Sequence, residues 1–177
     1  MKKPLFSIIV AAHKRALLLQ RCLVSIRSQT FNDYEIIIVM DALDARSFDI
    51  VSQFLCEDDI FIKHNREYGP ASSRNLALDA AQGEWIIFLD DDDRFTDTHL
   101  STLKSAIERQ PNNNILYCDA RIVIEDRIAK IPALLEEKRI YLSSIDINDI
   151  WVKNFIPNNC LAFKREQLSS IYFCLLY

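Results

Sequence analysis

Three short, nearly unbroken apolar runs constrain this chain more than any other feature: Phe6-Ser7-Ile8-Ile9-Val10-Ala11-Ala12, Glu35-Ile36-Ile37-Ile38-Val39-Met40 and Trp85-Ile86-Ile87-Phe88-Leu89. Each is too short for a typical helix, rich in β-branched residues and without polar alternation, which is the pattern of a strand covered on both faces. Such strands need helices on both sides of their sheet, so the expected class is α/β with a mostly parallel central sheet. The intervening segments supply them. Leu17, Leu18, Leu19, Leu23 and Ile26 recur at helix spacing between Ala16 and Ser28, and an amphipathic stretch runs from Ala45 to Leu55, before a short strand at Ile60–Lys63. Gly69-Pro70 opens a helix over Ala71–Ala81, with Ser72 and Ser73 as capping candidates and Gly83 as its terminator. Thr96 or Asp97 is placed to cap a further helix ending near Arg109. Ile115–Cys118 and Arg121–Ile124 read as strands joined by a link too short for a crossover, hence an antiparallel pair. From Ile128 to Pro157 the pattern loosens, with no linker and no internal repeat, so one domain over residues 1–177 is expected.

Bulk charge excludes some partners. At 177 residues and a formal net charge of -4 the chain has no basic footprint for nucleic acid, so any phosphate binding must be local. With two glycines in the whole sequence there is neither a G-x-G-x-x-G turn nor a P-loop, and no G-x-S-x-G nucleophile elbow is present. Cys22, Cys56, Cys118, Cys160 and Cys174 are widely spaced with no C-x-x-C pair, and read as reduced core residues of a cytoplasmic protein. The Lys2-Lys3 start followed by apolar residues imitates a secretory signal, but the run is short and leads into an amphipathic helix. Nothing approaches the roughly 20 apolar residues of a membrane span.

The chemistry gathers at strand ends. Asp90-Asp91-Asp92-Asp93 follows the third apolar run directly, at the carboxyl end of a strand, where open α/β sheets place their ligands. Four adjacent carboxylates repel one another; a bound Mg2+ or Mn2+, held by one or two of them and completed by diphosphate oxygens, relieves that repulsion. A solvated acidic turn before the next helix is the plainer reading. Asp41 ends the second run on the same rim, and its carboxylate can accept hydrogen bonds from a base or ribose or simply close a turn. Arg74, early in the helix after Gly69-Pro70, is placed to meet a phosphate or offset the acidic run, or to be an ordinary surface arginine. His13, Lys14 and Arg15 flank the same rim.

In their order along the chain these pieces resemble glycosyltransferase family 2, from about Phe6 to Arg165. Phe6-Ser7-Ile8-Ile9-Val10, Leu23-Val24-Ser25-Ile26 with Gln29-Thr30, and Glu35-Ile36-Ile37-Ile38-Val39 are similar to its first β-α-β unit. Gly69-Pro70-Ala71-Ser72-Ser73-Arg74-Asn75 and Gly83-Glu84-Trp85-Ile86 are similar to its helix and central strand, and Leu89-Asp90-Asp91-Asp92-Asp93 to its D-x-D signature. The resemblance implies a GT-A fold, a three-layer α/β/α arrangement that binds a nucleoside-diphosphate sugar, with UDP-sugars favoured, and transfers the sugar to a glycan or lipid-linked acceptor hydroxyl in surface polysaccharide or glycoconjugate synthesis. It implies that Asp41 holds the base, with Ala11, His13 and Arg15 in the wall around it. Asp90 and Asp91 would lie by the ribose and diphosphate, Arg74 near the diphosphate, and Asp92 with Asp90 on a Mn2+ or Mg2+ ion. Where the family has two acidic residues ending its second strand and an asparagine near the end of its first, this chain has Met40-Asp41 and Lys14.

An inverting transfer needs a carboxylate to take the acceptor proton. The family carries it beyond the segment that Asn159–Arg165 resembles, whereas no acidic residue follows Glu166 here, leaving Asp119 as a substitute. Two other readings stand beside the enzyme: a non-catalytic nucleotide-sugar-binding partner subunit, and a nucleotidyltransferase, which lacks its glycine-rich loop. The apolar tail Ile171–Tyr177 is expected to cover a further domain, or else a protein partner or the cytoplasmic face of a membrane.

Overall fold

The computed structural model describes residues 3–42, 44–64, 67–126, 133–142, 156–168 and 171–173. The chain divides into two compact units, one made of Met1–Leu116 with Ala162–Tyr177, the other of Tyr117–Leu161.

In the first unit the apolar runs are strands: β1 (Phe6–Ala12), β2 (Tyr34–Met40), β3 (Ile60–Lys63) and β4 (Trp85–Asp90), alternating with helices α1 (Ala16–Arg27), α2 (Ala45–Phe54) and α3 (Pro70–Ala80) and followed by α4 (His99–Arg109) and β5 (Ile115–Tyr117). The six-stranded sheet has the order β3-β2-β1-β4-β8-β5, where β8 is Leu161–Lys164. β1 pairs in parallel with both β2 and β4, β2 with β3, and β8 alone is antiparallel to β4. The carboxyl ends Ala12, Met40, Lys63 and Asp90 therefore share one rim.

Alternate residues of each central strand face opposite layers. Phe6, Ile8, Val10, Ile36, Ile38, Trp85 and Ile87 pack with Leu19, Leu23 and Ile26 of α1, Ile50 and Val51 of α2 and Leu100 and Leu103 of α4. Ile9, Ile37, Val39, Ile86 and Phe88 pack on the other side with Ala77 of α3. Burying each such large side chain is worth about 1.5–3 kcal/mol, so the two layers hold the sheet far more firmly than any polar contact does. The expected three-layer, mostly parallel architecture is the one observed.

Details of capping differ from expectation. α3 begins at Pro70 behind Gly69, whose φ of +85° suits glycine; neither serine caps it, and Ser73 instead bonds back to the Gly69 carbonyl. Gly83 does not end the helix, which closes at Ala81. Its role is close approach, since a Cβ there would lie 2.5 Å from the Ser7 nitrogen. The N-cap of α4 is Thr98, without a side-chain bond, in place of Thr96 or Asp97.

The second unit contains an antiparallel hairpin of β6 (Ala120–Asp126) and β7 (Ala133–Ile140), with an irregularity at Ile124/Glu125. β5 is thus not the partner of β6. A strand with the charged stretch Glu136–Arg139 lacks the buried pattern by which the others were legible, and β7 falls in the segment whose pattern loosens. Residues 127–132 and 143–155 of that segment lie outside the described residues. Among the cysteines, Cys22 and Cys160 are buried, but Cys56 is exposed and Cys118 half-buried, so not all are core residues; all four are free thiols, and Cys174 lies outside the described residues.

Candidate functional site

The sheet's carboxyl rim carries a cleft of about 470 Å³, lined by Ala11, His13, Arg15, Asp41, Arg74 and Asp90 together with Glu67, Gly69, Pro70 and Ser73. Six of the seven residues expected to bind a nucleotide sugar thus line one cleft; the seventh, Asp91, lies fully buried.

The turn after β1 sets the first wall. Lys14 has φ +49°, a left-handed conformation costly for a residue with a Cβ, and its ammonium pairs with Glu67. That turn directs the His13 backbone N–H onto Asp91 Oδ2 at 2.9 Å. It also brings the Arg15 guanidinium across two carboxylates, Asp91 Oδ1 and, at 2.6 Å, Asp92 Oδ2. Asp91 Oδ1 accepts no aligned hydrogen bond despite its complete burial. Burial raises the Asp91 pKa, opposed by the His13 N–H and Arg15. Burial pushes Asp93 up to about 6, helped by the charges of Asp90 and Asp92 and opposed by Arg15. Arg15 thus offsets part of the charge of the acidic turn.

The opposite wall hangs on Asp41. Its backbone N–H continues the sheet to Ala12 O, and its carboxylate accepts from the Tyr68 and Gly69 N–H groups, each at 2.8 Å, and contacts His64 Nδ1 at 3.1 Å. Burial works against ionisation, but these donors prevail and hold the Asp41 pKa below its ordinary value. Asp41 so fastens the loop that presents Gly69 and α3 to the cleft. His13 lies beside it, Nδ1 3.9 Å from Asp41 Oδ2. Arg74, on the first turns of α3, reaches Asp90 Oδ1 at 2.5 Å. The expected neighbour of Asp41, an acidic residue, is replaced by Met40, which is buried in the core.

Several contributors carry no motif of their own. Ser25 and Gln29 of α1 hold the exit of the acidic turn: Phe95 N–H donates to Ser25 Oγ, Leu100 N–H to Gln29 Oε1, and Gln29 Nε2 to Thr96 O. They could have been found only through their place in the first β-α-β resemblance. From the tail, Phe173 packs beside Phe88 of β4 in its own unit, while Ile171 and Tyr172 are exposed; residues 174–177 lie outside the described residues. Asp119 belongs to the second unit, where its Oδ1 accepts the Leu142 N–H at 2.9 Å.

A mostly parallel sheet covered by helices, with an acidic turn and two arginines at its carboxyl rim, is the arrangement of the GT-A fold. The model of the family described as Glycosyl transferase family 2 matches residues 7–171. The chain belongs to glycosyl transferase family 2. It is 38% identical over 103 residues to a GalNAc(5)-diNAcBac-PP-undecaprenol beta-1,3-glucosyltransferase of Campylobacter jejuni, covering 56% of this chain and 33% of that one. It is 31% identical over 158 residues to the UDP-Glc:alpha-D-GlcNAc-diphosphoundecaprenol beta-1,3-glucosyltransferase WfaP of Escherichia coli, covering 85% and 63%. The chain thus spans less than two thirds of the length of these relatives. In fold it is similar to S. aureus TarS 1-349 in complex with UDP-GlcNAc, with TM-score 0.73, 20% identity and coverage of 96% and 48%. The mannosyltransferase PcManGT of Pyrobaculum calidifontis, in complex with GDP-Man and Mn2+, matches with TM-score 0.63, 19% identity and coverage of 95% and 46%.

Proposed function

We propose that the carboxyl-rim cleft binds a nucleoside-diphosphate sugar, with UDP-sugars favoured, and that the chain carries the donor half of a glycosyltransferase acting on a glycan or lipid-linked acceptor hydroxyl. The observation that carries the reading is the convergence of Asp41, Arg74, Arg15 and Asp90 on one cleft beside the acidic turn. The Campylobacter and Escherichia relatives, both named as transferases to undecaprenol-linked sugars, support the acceptor class.

In this reading the base lies beside the His13–Asp41 pair, against the backbone wall at Ala11, and the ribose and diphosphate extend past Asp90 to Arg74. Transfer forms a bond from the acceptor oxygen to the anomeric carbon, breaks the bond from that carbon to the diphosphate, which leaves carrying the charge, and passes the acceptor proton to a carboxylate base. Arg74 and Arg15 offset that charge, stabilising what develops during the reaction.

The donor set suits a hard divalent cation. Asp92 is partly exposed with Arg15 as its ion-pair partner, and the buried Asp91 Oδ1 lacks an aligned donor, although no group of three or more ligating side chains is assembled among the described residues. One or two carboxylates completed by substrate phosphates is the usual holding of Mg2+ or Mn2+, so Asp92 with Asp90 are the assigned ligands. When bound, the ion neutralises the leaving diphosphate. Arg15 must then yield its contact with Asp92.

Calorimetric titration with a panel of nucleoside diphosphates, in Mn2+ and in chelator, tests the site. Wild type is expected to bind one of them with Mn2+ at least ten times more tightly than in chelator, and Asp92→Ala to abolish that difference. Equal binding in chelator by both proteins would refute the metal assignment, and no binding by folded wild type would refute the donor site.

A further inference from the structure

Arg74 reaches the cleft from helix α3, and its side chain lies against Phe173, 99 positions further along the chain. Asn75, next to Arg74 on α3, grips the backbone of Phe173 at both ends: Asn75 Nδ2 donates to Phe173 O at 3.1 Å, and Phe173 N–H donates to Asn75 Oδ1 at 2.8 Å. A side-chain amide satisfying both backbone groups of one residue mimics a strand pairing and fixes that residue's position and direction. The ring so fixed stands edge-on to Phe88, 5.0 Å between centroids at 87°. Its face carries the Arg74 guanidinium, 5.4 Å from ring centroid to Cζ. From that platform Arg74 Nη2 reaches Asp90 Oδ1.

We infer that Phe173, gripped by Asn75, is a positioning residue that holds Arg74 in the orientation in which it meets the diphosphate of the donor. An arginine carries substantial rotamer freedom, and a ring face removes part of that freedom before the ligand arrives while the edge of the planar fork, which meets Asp90, stays turned to the cleft. The arrangement also explains why one side of the guanidinium is dry: the Arg74 side chain is 13% exposed although its partner Asp90 is 39% exposed. The inference rests on the donor-site reading above.

The test compares affinities for UDP and UMP, with Mn2+, in the full chain. Phe173→Leu keeps an apolar side chain over Phe88 but removes the ring face; Asn75→Ala removes the grip; Phe173→Tyr keeps the ring. Wild type and Phe173→Tyr should prefer UDP over UMP by the same factor. Phe173→Leu and Asn75→Ala should each lower that preference about 5-fold to 10-fold, within the range of cation–π and ordering contributions. In an Arg74→Ala background Phe173→Leu should have no further effect, because its action runs through the guanidinium. A residue that only packs the sheet would lower melting temperature and leave the preference unchanged. Undiminished UDP preference in both variants, or an equal loss with and without Arg74, overturns the inference while leaving the donor site intact. Failure of wild type to bind either nucleotide overturns the donor-site reading itself, and the inference with it.

Discussion

Asp93 carries the clearest electrostatic signature at the level of single residues. Its pKa of about 6 arises from burial among like charges, whereas a free aspartate titrates near 4. Between those values the folded chain retains a proton that the unfolded chain has released, so stability falls as pH rises through about 4 to 6 and stays lower above it. Asp93→Asn removes the penalty. In chelator the variant should be more stable than wild type by about 1–3 kcal/mol at pH 7.5 and nearly equal to it at pH 4, by denaturant unfolding. A gain of the same size at both pH values would show that the effect is not ionic. The sequence placed this residue correctly, since Trp85–Leu89 could only be a covered strand and whatever followed had to emerge at its carboxyl end. Its neighbours were legible only in part. That Arg15 bridges Asp91 and Asp92 depends on a left-handed turn at Lys14, and no local pattern announces a positive φ at a lysine. Asp41 reads in the sequence either as a base holder or as a residue that closes a turn; its bonds to Tyr68 and Gly69 give it a structural duty towards a loop distant in sequence, which no local pattern specifies.

Among the elements, α1 does more than cover the sheet. Through Ser25 and Gln29 it holds the chain just after the acidic turn, so the turn is fixed at its start by β4 and at its exit by a helix some 70 residues earlier. Gln29 is buried, and Gln29→Leu would leave the Leu100 N–H without its partner, while the Thr96 carbonyl keeps the His99 N–H. Stranding a buried polar group costs about 1–3 kcal/mol, and a loss of that size is expected by urea denaturation, with weaker metal-dependent nucleotide binding beside it. A loss below about 0.5 kcal/mol would mean that the turn is held by other means. Helices and strands of the first unit were legible because their periodicity is strong, while β7, with Glu136, Glu137, Lys138 and Arg139 in succession, offers no period to read. Gly83 shows the limit of local rules in another way. Its spacing suggested a helix terminator, yet what demands glycine is the backbone of Phe6 and Ser7 pressed against it from a distant strand.

Fold and family follow from the three-layer sheet and the match over residues 7–171. Donor, acceptor and metal are proposals built on the cleft, because the relatives share part of their length with this chain. No helix among the described residues is long and apolar enough to cross a membrane. A second cleft, of about 360 Å³, lies at the opposite rim of the sheet between Lys3, Asp33, Gln82 and Arg165, and provides an internal control. Amide hydrogen exchange of the intact chain, with and without UDP and Mn2+, locates the ligand directly. The account predicts slowed exchange at residues 11–15, 67–75 and 90–93 and unchanged exchange around the second cleft. Protection around Lys3, Asp33 and Gln82, or at none of these segments under saturating nucleotide, would contradict it.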